Sequence, residues 1–133
     1  MTTLPVLEPG LSGTIEYRVN QASTARQLGS GSIDVLATPE LVRLMEVAAV
    51  SALADHLPPE LTSVGVAIDM QHVAATPVGL NVEVKAILTQ VEGRHLQFQV
   101  TARDDVEEIG RGTHQRVLVE ISSFVARTNR KLQ

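Results

Sequence analysis

The chain has 133 residues, of which 44% are hydrophobic and 20% charged, with a formal net charge of −4, no cysteine, and only Tyr17, Phe98 and Phe124 as aromatic residues. That length holds one domain with a real core and is short for two, so residues 1–133 read as a single domain; the lack of cysteine excludes disulfides, thiolate zinc sites and a cysteine nucleophile. An acidic, ring-poor chain lacks the basic, stacking surface of a nucleic-acid binder, no apolar run nears the roughly 20 residues of a membrane span, and the N-terminus has no signal-peptide pattern, which makes the cytoplasm the expected compartment.

Residues 1–12 carry Pro5 and Pro9-Gly10 and read as an irregular N-terminal arm. Thr14 to Val19 alternates, with Ile15, Tyr17 and Val19 on one side, and predicts a first strand. Gln21 to Ser32 is rich in Ser, Thr, Gly and Gln and reads as a mobile loop. Thr38-Pro39-Glu40 is a helix start in which Thr38 is suited to cap the free amides. The helix should run to about His56, ahead of Pro58-Pro59. Val64, Val66, Ile68, Met70 and His72 share one parity of a second strand, and Leu80, Val82, Val84, Ala86 and Leu88 mark a third. After the turn Glu92-Gly93-Arg94, residues Leu96, Phe98, Val100 and Ala102 mark a fourth strand. The fifth runs from about Ile109 to Ile121, with Val117, Val119 and Ile121 inward and Gly110 and Gly112 suited to a bulge or a close approach. Residues 126–133 form a basic tail that should fray.

The order predicts an α+β domain: a strand, one long apolar helix and a four-strand antiparallel meander. Five strands and no polar helix face imply that the sheet curls around the helix and that a second subunit helps to bury it, at least as a dimer.

Glu46 interrupts the run Leu41–Ala54, which is otherwise almost wholly apolar. A carboxylate in such a helix either reaches a surface, pairs with a buried arginine, or sits at a site of acid–base work. His72 falls on the apolar parity of its strand, and a carboxylate with an imidazole in reach can activate water. Thr38 stands eight helical residues before Glu46, a rise of about 12 Å and a turn of about 80°, so the two side chains cannot touch within one helix. Either a substrate spans them or the site combines two chains. His114 reads as polar-facing and is left out of the catalytic set. The four histidines show no metal-ligand spacing, so neither a metal nor a cofactor is implied.

The ordered set Thr38-Pro39, Leu44-Met45-Glu46, Gly65, His72-Val73-Ala74-Ala75-Thr76-Pro77-Val78-Gly79, Val91-Glu92-Gly93-Arg94 and Glu108-Ile109-Gly110-Arg111-Gly112-Thr113-His114-Gln115-Arg116 resembles the fluoroacetyl-CoA thioesterase group of hotdog-fold thioesterases over roughly residues 35–125. The resemblance implies a hotdog homodimer with sites at the subunit interface, an acyl-CoA substrate, Thr38, Glu46 and His72 as catalytic residues, and Gly65 and Arg116 as substrate-binding residues. Members selective for the fluorinated acyl group carry phenylalanines on the lid before the helix. The corresponding segment here, Leu28 to Leu36, has none, so fluoroacetyl selectivity is not implied. The expected activity is hydrolysis of a short or medium acyl-CoA. The alternatives are a non-catalytic acyl-CoA binding module, since fold does not fix function, and another acyl-thioester enzyme such as a dehydratase.

Overall fold

The computed structural model describes residues 3–133, so Met1 and Thr2 of the N-terminal arm lie outside the described residues. The elements in order are β1 (Ser12–Arg18), a 3-10 turn (Gln21–Ser23), α1 (Ala25–Leu28), α2 (Thr38–Leu53), β2 (Leu61–His72), β3 (Asn81–Glu92), β4 (His95–Asp104), β5 (Glu108–Glu120), α3 (Ile121–Asn129) and a final 3-10 turn (Arg130–Leu132). The five strands form one antiparallel sheet in the order β1-β3-β4-β5-β2. This sheet, packed on the central α2, is the hotdog architecture.

The expected four-strand meander is corrected by that order. Only β3, β4 and β5 follow one another as hairpins, while β2 lies beside β5, with Leu61 opposite Glu120 and His72 opposite Gly110. Its other edge is unpaired among the described residues.

The apolar stripe of α2 lies on the sheet. Leu41, Leu44, Met45, Ala48 and Ala52 join Val82, Val84, Ala86 and Leu88 of β3 and Leu96, Phe98 and Val100 of β4 in one core, each large side chain contributing about 2 kcal/mol or more. Val47 and Val50, on the far side of α2, stay exposed. β1 passes so close to the helix that a Cβ on Gly13 would collide with the Ala48 carbonyl and the Ala52 amide. The N-terminal arm is irregular as expected, but Leu7 is buried in the core.

Three bulges shape the sheet, each one extra residue in a strand: Val66 in β2, Thr89 in β3 and Ile109 in β5. The last corrects the parity expected for β5. Ile109 and Gly110 are both buried in succession, and from there the even-numbered residues His114, Arg116 and Leu118 point inward, not Val117, Val119 and Ile121. Gly112 gives the close approach that glycine was expected to permit: a Cβ there would collide with the Met70 backbone of β2.

Two segments are more regular than expected. The 21–32 loop contains the 3-10 turn and α1, with Asn20 and Thr24 capping them and Gly29 closing α1 in the left-handed region. Ile121–Asn129 form α3, whose first amide donates to the Glu60 carbonyl, so the basic tail begins within a helix.

Candidate active site

The helix start places Thr38 differently from the capping role its sequence suggests. Ala37 is the N-cap, its carbonyl accepting from the Leu41 amide at 3.0 Å, and no side chain caps the turn. The Thr38 hydroxyl is therefore free for another partner, and it lies 2.8 Å from Nδ1 of His72, at the end of β2. Thr38 is exposed and His72 half-buried. Both line a pocket of about 330 Å³ whose other walls include Ala25, Val35, Leu36 and Ala74. Burial pushes the His72 pKa down, and the Ala74 backbone opposes this only in part. The ring is thus held toward its neutral form. Its Nε2 is buried with no hydrogen bond of ordinary geometry among the described residues.

The loop behind the histidine is clamped. Thr76 donates from its hydroxyl to Asp104 at 2.9 Å, and the Leu36 amide donates to the Thr76 carbonyl at 2.9 Å. Asp104 also accepts from the amides of Val106 and Glu107. Burial pushes the Asp104 carboxyl up, but these hydrogen bonds outweigh it and leave the group below its ordinary value.

Glu46 sits two helical turns further along α2, with 44% of its side chain exposed. Its Oε2 accepts from Nη1 of Arg116 at 3.2 Å, and the arginine side chain is only 7% exposed. The pairing with a buried arginine, one of the three readings open from sequence, is the contact present. Arg116 is fixed from β2 as well: Nε donates to the Ser63 hydroxyl at 2.8 Å and Nη2 to the Ser63 carbonyl at 3.1 Å. Burial lowers the Arg116 pKa and Glu46 raises it; a guanidinium stays charged through such shifts. Gly65 belongs to the same group, because a Cβ there would lie 2.6 Å from Glu46 Oε2. The glycine leaves the room that the carboxylate occupies.

The five residues expected at the site thus form two groups within one chain, a pair and a trio. Thr38 meets His72, and Glu46 meets Gly65 and Arg116, while no hydrogen bond or ion pair joins Glu46 to His72 among the described residues. Sequence reasoning left out two contributors to the second group. Ser63 holds Arg116, and His114, 2% exposed and inward-facing, touches Arg116 as well. The spacing of His114 and Arg116, two apart on one strand, was the available signal, since such residues share a face.

A family model described as fluoroacetyl-CoA-specific thioesterase matches residues 19–122. The chain belongs to the fluoroacetyl-CoA-specific thioesterase family. It is accordingly a thioester hydrolase. Among relatives of the family, the fluoroacetyl-CoA thioesterase of Streptantibioticus cattleyicolor is 48% identical over 98 residues, covering 74% of this chain and 70% of the relative. A solved structure of the fluoroacetyl-CoA-specific thioesterase has a TM-score of 0.88 at 40% identity, over 95% of this chain and 98% of that one. A thioesterase superfamily member from Thermus thermophilus reaches a TM-score of 0.88 at 24% identity, over 96% and 94% of the two chains, and shares the fold. No helix among the described residues is long and apolar enough to cross a membrane.

Proposed function

We propose that this hydrolase cleaves the thioester of a short or medium acyl-CoA at a site shared by two subunits of a homodimer, Glu46 coming from one and the Thr38–His72 pair from the other. The observation that carries the proposal is the hydrogen bond between Thr38 and His72 on the wall of the 330 Å³ pocket. A hydroxyl held against a neutral imidazole can orient a carbonyl and move a proton, but it needs a carboxylate that its own chain holds about 12 Å further along α2. Ala25, Val35, Leu36, Val73 and Ala74 give that pocket an apolar side against which a small acyl group can pack, and its volume of about 330 Å³ limits the chain length it takes. Acetyl-CoA and fluoroacetate complexes of relatives fit the same class of ligand.

Two features support the dimer. β2 leaves one long edge unpaired, which proteins rarely leave open to solvent. Val66 on that strand, Val73 just beyond its end, and Val47 and Val50 on α2 are exposed.

Glu46 presents one oxygen to Arg116 and has the other for chemistry. In one route it takes a proton from water while the water oxygen attacks the thioester carbonyl; the C–S bond then breaks and the proton goes to the departing thiolate. In the other route Glu46 attacks, thiolate leaves, and water hydrolyses the resulting anhydride. Arg116 and the Gly65 amide hold the thioester, and Thr38 and His72 position it. Label found in Glu46 after a single turnover in oxygen-18 water would favour the second route, since it arises when water attacks the Glu46 carbonyl of the anhydride.

Thiol release from acetyl- to dodecanoyl-CoA tests the activity, and Glu46→Gln should lower it by about a hundredfold or more. No thiol release from any member would sink the reading. Co-expression of Glu46→Gln with His72→Ala tests the sharing. Each variant alone should be inactive, whereas mixed dimers contain one intact site and should restore about a quarter of the wild-type rate. A mixture as inactive as its parents would place each site within one chain.

A further inference from the structure

His114 has no part in the mechanism above, yet it is an ionisable side chain buried to 2% exposure directly behind Arg116. Its Nδ1 lies 2.8 Å from the Ala67 carbonyl. A carbonyl only accepts, so Nδ1 must carry the proton. Its Nε2 lies 3.1 Å from Arg116 Nη1. A guanidinium only donates, so Nε2 must offer a lone pair. The surroundings therefore fix one neutral tautomer.

The same Nη1 that donates to His114 also donates to Glu46. With Nε and Nη2 committed to Ser63, four of the five guanidinium N–H groups are placed. Arg116 is thus oriented by His114 and Ser63 before it meets the carboxylate.

We propose that His114 is a positioning residue for thioester cleavage: as the Nδ1–H tautomer it accepts a hydrogen bond from Arg116 and so fixes where the guanidinium holds Glu46. Protonation would replace the accepting lone pair with a donor facing another donor and set a second cation beside Arg116. The titratable groups against the ring are Arg116 on β5 and Glu46 on α2; β2 contributes the Ala67 carbonyl and β4 the Phe98 ring, with centroids 6.3 Å apart. Burial and Arg116 lower the His114 pKa, and the Ala67 backbone and Glu46 oppose them, which agrees with a neutral ring.

The inference rests on Glu46 acting in the reaction, and the test separates the two. His114→Phe keeps a ring of similar size and loses both hydrogen bonds, whereas His114→Gln keeps an acceptor within reach of Arg116. We expect kcat of folded His114→Phe to fall roughly tenfold to a hundredfold, as for a misplaced reacting group, with His114→Gln recovering most of it. In the wild type, nitrogen-15 NMR of the ring should show the proton on Nδ1 at neutral pH. A purely structural role would lower the melting temperature and leave kcat of the folded protein unchanged. Wild-type kcat in His114→Phe, a glutamine variant no better than phenylalanine, or a proton on Nε2 would each overturn the proposal. Should His114→Phe fail to fold, the glutamine variant and the tautomer still decide it. Glu46→Gln is run in parallel: if it turns over normally the functional reading falls, and the NMR result alone then decides whether His114 orients Arg116.

Discussion

Gly65→Ala should strike activity while sparing the fold. The added Cβ would lie 2.6 Å from Glu46 Oε2, against an ordinary contact of 3.4 Å or more, so the carboxylate oxygen must retreat by about 0.8 Å. Arg116 Nη1 and His114 Cε1, at 3.3 and 3.4 Å, leave the methyl little room on its other sides. The atom that yields is the end of a flexible side chain, which makes the strain small. Loss of glycine freedom in the unfolded chain offsets it by about 0.4–1 kcal/mol. Stability should therefore stay within about 1 kcal/mol of wild type. A displacement approaching 1 Å at a reacting group costs on the order of tenfold to a hundredfold in rate. Thiol release followed with a thiol-reactive dye measures this without protein background, because the chain has no cysteine. A folded Gly65→Ala enzyme with wild-type kcat would refute both the packing argument and the role given to Glu46.

The same substitution at Gly13 should do the opposite. There the Cβ meets helix backbone, which cannot swing aside, so Gly13→Ala should cost about 2–4 kcal/mol in denaturant titrations with kcat of the folded fraction retained. Asp104→Ala strips the acceptor from the Thr76 hydroxyl and two amides and should cost about 2–3 kcal/mol. The stability Asp104 supplies is complete above its unfolded value near 3.8 and is lost as pH falls through its lower folded value, so the variant should show a shallower acid transition. His72 and His114 both have pKa values below their ordinary 6.5. The unfolded chain takes up these protons first, so stability should be full above about pH 6.5 and decline below it. Melting temperature measured between about pH 5 and 8 should show that decline, and a flat profile would contradict it.

The strands without an insertion in their inward run were readable from alternation alone: Val82 to Leu88 in β3 and Leu96 to Ala102 in β4 face the core as expected. β5 was not, because the extra residue at Ile109 changes the parity of everything after it, and hydrophobicity carries no mark of an insertion. That one error put His114 on the wrong face. The place of β2 was hidden for another reason, since its pairing with β5 joins residues far apart in sequence and local pattern says nothing of it. At the site, residue types pointed to Glu46 and His72, and the family resemblance added Thr38, Gly65 and Arg116, but neither showed which would touch. Thr38 looked like a cap because capping is what threonine before proline usually does. Only the fold brings His72 close enough to claim its hydroxyl.

Gly65 and His72 stand seven positions apart on one strand, an odd number, and in a regular strand they would look to opposite sides of the sheet. Both face α2, one giving space to Glu46 and the other meeting Thr38. The surplus residue at Val66 makes this possible. The strand miscounts once, and two side-chain positions that simple alternation would separate come to serve the same helix.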